Sequence, residues 1–170
     1  MKFLLSFIIS ISTVLSIGAQ SKQDFVELLI NTIKEDYAET NIPDNEYKCI
    51  TVSPNMIGKV LQMIQNSEKK DKEQINKLLP YVKSLRIFSA TNHINYYYEE
   101  TQKLLDKYKT TYKPYCANSN EKKTPCIWLR KNRTKVIEII MLSRQEDNFF
   151  QVVNLTGDMT KDFVTNLLKM

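Results

Sequence analysis

At 170 residues, with 42% hydrophobic and 25% charged side chains, the chain can bury about two thirds of its unfolded surface. It therefore reads as one ordered domain that needs no metal or disulfide to hold a core. The formal charge of +5 is mild and falls by one if Lys2 leaves with a signal segment. The basic residues are scattered as Lys69-Lys70, Lys103 with Lys107, Lys122-Lys123 and the stretch 130–135, with acids between most of them, which reads as solvated surface rather than a nucleic-acid face. Three glycines leave little material for phosphate-cradling loops.

The N-terminus carries a three-part export pattern. Met1-Lys2 is a short positive end, residues 3–17 are apolar apart from interspersed Ser and Thr, and Gly18-Ala19 supplies small residues before Gln20. The expected cut lies between Ala19 and Gln20, giving a signal peptide over 1–19 and a single domain over 20–170. An uncleaved anchor is the alternative reading, although the apolar stretch is short of the about 20 residues a membrane-spanning helix needs. In the mature chain the most apolar run, 136–142, is interrupted by Glu138 and is too short to cross. The expected location is periplasmic or secreted, away from most nucleic acid.

Ser21 with Asp24 three residues on resembles a helix start, and Phe25, Leu29, Ile33 and Tyr37, with Val26 and Ile30 beside them, form one apolar helical face. Residues 41–45, with Pro43, are a loop, and 47–52 read as a strand holding Cys49 as a buried residue. Ser53-Pro54 opens a second helix, cap residue and then proline at the first helical position, with Ile57, Val60, Leu61 and Ile64 as its stripe. Ile75, Leu78, Leu79 and Val82 give further helical turns that Pro80 bends or ends. A strand over 85–90 follows. Asn92 caps the longest helix, which keeps its spacing through Ile94, Tyr97, Tyr98, Leu104, Leu105, Tyr108 and Tyr112 until Lys113-Pro114 stops it.

The last third changes character. Residues 126–130, 136–142 and 149–156 are strand-like, and their short polar links make them an antiparallel meander. Gly157-Asp158 breaks the last strand, and Phe163, Val164, Leu167 and Leu168 form a terminal helix. The fold class is α+β: about five strands in a mixed sheet, the first two parallel through a helical crossover, with the meander antiparallel, helices covering the sheet, and ferredoxin-like kinship as a candidate.

Three cysteines stand in the mature chain, Cys49, Cys116 and Cys126. Cys116 and Cys126 flank the polar loop 117–125, and a bridge between them in an oxidising compartment would contribute about 2–3 kcal/mol by the chain-entropy argument. Spacing alone leaves open whether the sulfurs meet.

The run Val136-Ile137-Glu138-Ile139-Ile140-Met141-Leu142, then Phe149-Phe150-Gln151-Val152-Val153 and Asn154-Leu155-Thr156-Gly157-Asp158, resembles the domain of unknown function 4252 family. The strand Leu85-Arg86-Ile87-Phe88 and the helix led by Tyr97 go with it. The resemblance covers about residues 22–170, and its most specific piece ends at Asp158. It implies an exported protein of a kind found mainly in the Bacteroidetes, and it brings no catalytic residue, cofactor or ligand. The three cysteines and the loop 118–123 depart from its pattern. In that bacterial setting the two sequons at Asn132 and Asn154 are chance matches.

No reaction can be read from the residues. His93 is the only histidine and reads as a capping or surface residue; a Cys/His mechanism would need a base and an orienting group within reach. Cysteines far apart and a histidine without a partner do not make a zinc set, and Asp44 with Glu46, or Asp158 with Asp162, lack the glycine and ligand series of a calcium loop. Core packing is the favoured reading of the Tyr96-Tyr97-Tyr98 run and of Trp128 on its meander strand; Tyr96, placed outward beside inward Tyr97 and Tyr98, and Trp128 are the candidate partner contacts if any aromatic is one. The expectation is a non-enzymatic exported module that binds an envelope protein or glycan, without cofactor or metal. The alternative is a small Cys/His-dependent hydrolase or redox enzyme.

Overall fold

The computed structural model describes residues 23–40, 46–64, 79–115, 127–145 and 148–169. Their order is α1 (Phe25–Thr40), β1 (Tyr47–Val52), α2 (Pro54–Ile64), a 3₁₀ turn (Leu79–Tyr81), β2 (Val82–Ala90), α3 (Ile94–Lys107), β3 (Tyr112–Tyr115), β4 (Ile127–Asn132), β5 (Lys135–Gln145), β6 (Phe149–Met159) and α4 (Lys161–Lys169). The fold is α+β, built on one open sheet of six strands in the order β1-β2-β6-β5-β4-β3. Every neighbouring pair is antiparallel.

Strand alternation splits the sheet's side chains into two apolar sets. On one face Leu85, Ile87, Leu129, Ile139, Val153 and Leu155 meet Ile57 of α2 and Phe163, Val164 and Leu167 of α4. On the other, Phe88, Ala90, Ile140, Phe150 and Val152 meet Phe25, Val26, Leu29 and Ile33 of α1 and Ile94, Tyr97, Leu104 and Leu105 of α3. Aromatic edges knit this second layer: Phe88 lies 5.5 Å from Tyr97 and 6.5 Å from Phe150, both edge-on, and stacks on Tyr47 at 5.0 Å.

Several expectations hold. The meander is present as β4, β5 and β6, Pro54 opens α2, and the apolar face of α1 is buried as its spacing implies. The helix start moves three residues on: the Glu27 N–H donates to Asp24 Oδ1 at 3.0 Å, so Asp24 is the cap. Ser21, the loops at 41–45 and 118–123, and the side chains of Tyr37, Val60, Leu61 and Ile64 lie outside the described residues.

Four expectations are corrected. The sheet has six strands because Tyr112 belongs to a strand. The Tyr112 N–H still bonds to the Tyr108 carbonyl at 2.9 Å, so helical spacing persists one turn beyond the end of α3 at Lys107 although the chain has already turned. The first two strands are antiparallel, not parallel: Val52 pairs with Leu85 and Tyr47 with Ala90, so the connection leaves and re-enters the sheet at the same end and no crossover is made. Val82 is a strand residue, since past Pro80 the chain extends and pairs with Gly157. Gly157 and Asp158 do not end β6, which runs to Met159. Among the described residues the order, with four strands between α3 and α4, does not show the β-α-β-β-α-β pattern of ferredoxin-like domains.

Gly157 is where two backbones touch: a Cβ there would lie 1.9 Å from the Tyr81 carbonyl oxygen. At Gly58 in α2 the nearest obstacle is the flexible end of Leu79, at 2.8 Å. Gly157→Ala is therefore expected to lower unfolding free energy by about 2–3 kcal/mol in urea titrations. Gly58→Ala should stay within about 1 kcal/mol of the parent, because the helix gain offsets a contact that Leu79 can relieve.

Candidate functional site

The residues named from sequence do not converge. Tyr96 is half-buried, not exposed, with its ring 5.2 Å from Tyr97, and Trp128 is likewise half-buried; both pack on the α1 side of the sheet. Cys49 is in β1 as expected but exposed rather than buried, because an edge strand is covered from one side only. Desolvation still pushes its thiol above the ordinary 9.0, with Arg86 pulling the other way. Ala19, Gln20, Cys116, Cys126 and Asp44 lie outside the described residues.

His93 takes the cap position of α3 with a left-handed backbone, φ 49°, and makes no side-chain cap bond. Its Nε2 lies 2.9 Å from Glu46 Oε2, a close contact without hydrogen-bond alignment. Asp158 pairs with Lys83 at 2.8 Å, which holds its carboxyl below the usual range, and Asp162 sits in the first turn of α4. Among the described residues no three metal-ligating side chains cluster.

What the structure does gather is a polar row that sequence reading missed. On the α1 face, Arg86 of β2 stands opposite Asn154 of β6, and Tyr112 of β3, Arg130 of β4 and Glu138 of β5 stand in line. Glu138 is 0% exposed. Its Oε1 accepts the Phe25 N–H at 2.6 Å and the Asn154 Nδ2 at 2.8 Å; its Oε2 meets Arg130 Nη2 at 2.7 Å and the Tyr112 hydroxyl at 3.3 Å. Arg130 Nη1 also donates to the Gln23 carbonyl at 3.4 Å. Arg86 holds the cap itself, 3.2 Å from Asp24. The first turn of α1 is thus received by a carboxylate, two guanidinium groups and an amide.

Burial and pairing oppose one another at Glu138, and burial wins. Desolvation lifts its carboxyl above the ordinary 4.5, against the Arg130 charge and the bonds from Phe25 and Asn154. The same burial, with the Glu138 charge beside it, pushes the Tyr112 hydroxyl far up, so it stays a donor. The signal available in sequence was Glu138 itself, a lone acid inside the apolar run 136–142; its partners lie on other strands and could not be read locally.

The motif Asn154-Leu155-Thr156-Gly157-Asp158 is structural at each step. Asn154 bonds Glu138, Leu155 is core, the Thr156 hydroxyl meets Ser84 Oγ at 2.6 Å, Gly157 admits the Tyr81 carbonyl and Asp158 pairs with Lys83. Asn154 is 1% exposed, so its sequon is closed to a glycan.

The two sheet edges differ. In β1 residues 48–51 are all exposed, Ile50 at 54%, and among the described residues nothing pairs with its outer side. The opposite edge, β3, has four residues and contains Lys113-Pro114, both features that discourage pairing.

A family model for a domain of unknown function, DUF4252, matches residues 44–167, from just before β1 into α4. No curated protein and no solved structure gives a significant match.

Glu138→Ala is expected to cost about 3–5 kcal/mol, since it strands the buried Arg130 charge and the Phe25 N–H together. A raised carboxyl pKa means the folded state holds its proton longer than the unfolded one. The contribution of Glu138 to stability is therefore fully present below about pH 4.5 and is lost as pH rises through the folded value. Unfolding titrations across this range should show the parent losing stability relative to Glu138→Gln as pH rises.

Proposed function

The chain belongs to the DUF4252 family, and from that premise we propose that it is an exported, non-enzymatic binding module that accepts an extended segment of an envelope protein along the edge of β1. The observation that carries the reading is the open edge itself. Six residues without proline or register shift, four of them exposed, offer about 20 Å of backbone donors and acceptors. Strand addition draws affinity from such main-chain groups and specificity from alternate side chains; Lys48 and Ile50 would flank the guest on one face, Cys49 and Thr51 on the other. The contact surface moves to β1 from Tyr96 and Trp128, whose rings are half-committed to the core. Export is supported by the pattern through Ala19 and Gln20, and no described helix is long and apolar enough to cross a membrane.

The Cys/His enzyme is the second reading, favoured by the 2.9 Å approach of His93 to Glu46. Against it, the Cys49 thiol is shifted up, the wrong direction for a nucleophile.

The binding test is site-specific. A photo-crosslinker on Cys49, with Cys116 and Cys126 changed to Ser, should trap a discrete envelope protein, and one placed at Lys103→Cys on α3 should not. In the purified complex the amides of 48–51 should gain hydrogen-exchange protection, and Ile50→Lys should reduce the trapped adduct. Equal labelling from both sites, or no added protection, would count against the reading, and an adduct of twice the chain's mass would replace the foreign partner with a second copy. For export, intact-mass analysis of an envelope fraction should find a chain beginning at Gln20; a full-length chain in the cytosol overturns it.

A further inference from the structure

The α2/α4 face of the sheet changes character at the end where β1 begins. Strand alternation and register set two rows across it there, Lys48, Ser89, Gln151 and Ser143 in one, Phe149 and Gln145 in the next. The adjoining row, Ile87, Val153 and Met141, belongs to the apolar layer beneath α2 and α4; the two end rows do not. Over them lies a hollow of about 500 Å³, lined by Glu46, Lys48, Ser89, Thr91, Asn92 and Phe149.

Phe149 is out of keeping with its surroundings. Phe25, Phe88, Phe150 and Phe163 each join one of the two apolar layers, whereas Phe149 joins neither and is half-buried. The groups around it are polar: the Ser89 and Thr91 hydroxyls, the Asn92 amide, the Glu46 carboxylate and the Lys48 ammonium. The last two charges are opposite, so the lining selects an ion of neither sign. Glu46 is held in place with Oε2 2.9 Å from His93 Nε2, which leaves Oε1 as the oxygen available to a ligand.

We propose that this hollow binds a saccharide of one or two rings, with the C–H face of a ring on Phe149 and its hydroxyls bonded to Ser89, Thr91, Asn92 and Glu46. A sugar has the matching double character. Its hydroxyls both donate and accept, and its C–H groups suit the negative face of an aromatic ring. A hydrocarbon would leave the polar lining unpaired. The volume is that of an ordinary small-molecule site. The site meets the outer edge of β1 only at Lys48, so saccharide binding and strand addition can each fail without the other.

The test titrates the isotope-labelled protein, expressed as the full chain, with cellobiose, maltose and diacetylchitobiose. Glycerol is the control that carries hydroxyls without a ring face. The expected result is saturable shifts at the amides of Ser89, Thr91, Asn92 and Phe149 with at least one disaccharide and not with glycerol. Added salt should leave the affinity unchanged, because the ligand is neutral. Phe149→Leu keeps an apolar side chain in the strand and should bind about tenfold more weakly. Asn92→Ala, at an exposed position, should bind about threefold more weakly. An unchanged spectrum away from the hollow shows that each variant keeps its fold. Silence from every disaccharide, equal binding of glycerol, shifts confined to the amides of 48–51, or unchanged affinity in the folded variants overturns the proposal.

Discussion

The rest of the structure hangs on a carboxylate placed in the middle of an apolar sheet face to receive the start of a helix. Glu138 would be a costly guest alone, because removing a charge from water is not repaid by one counter-ion. Here Arg130 approaches Oε2 while the Phe25 N–H and the Asn154 amide approach Oε1, and Asp24 completes the first turn with Arg86 behind it. The arrangement works only in one register. A slip of β4, β5 or β6 by one residue would turn Arg130, Glu138 or Asn154 to the opposite face, where only apolar side chains wait.

That constraint also orders the layers. Phe25 is the first residue of α1 and already fully buried, edge-on to Tyr112 at 5.3 Å, so fixing its N–H fixes where the helix begins its path across the sheet. From there Leu29 and Ile33 fall at helical spacing onto the same apolar layer as Phe88 and Phe150. The opposite face needs no such device. Its contacts are mostly aliphatic, with Phe163 edge-on to Tyr81 at 6.3 Å and Tyr115 and Met141 at its margin, and α2 and α4 are held there by apolar area. The family match begins at residue 44, so the row in β3 to β6 lies inside it while the helix it receives lies outside.

Local pattern made much of this legible. Alternation and short polar links gave the three meander strands, and a four-residue apolar recurrence gave the buried face of α1. It failed where structure depends on partners distant in sequence. Tyr112 keeps the spacing of α3 and even its backbone bond to Tyr108, yet its side chain is claimed by Arg130 and Glu138 on neighbouring strands. Gly157 looked like a strand end because glycine breaks strands; it is present because another backbone passes against it. Cys49 looked buried because its strand is apolar and β-branched, and nothing in six residues tells an edge from a centre.

The unequal edges bear on how copies of this chain can assemble. A sheet with two receptive borders can add units without limit, each newcomer leaving a fresh border exposed. Here Pro114 withholds a donor from the β3 border, so head-to-tail stacking of β1 on β3 lacks the regular ladder it would require. Joining β1 to β1 across a two-fold axis uses both receptive borders at once and leaves none over. Among the described residues, the unequal edges therefore suit a closed pair better than a fibre for any self-association through this sheet.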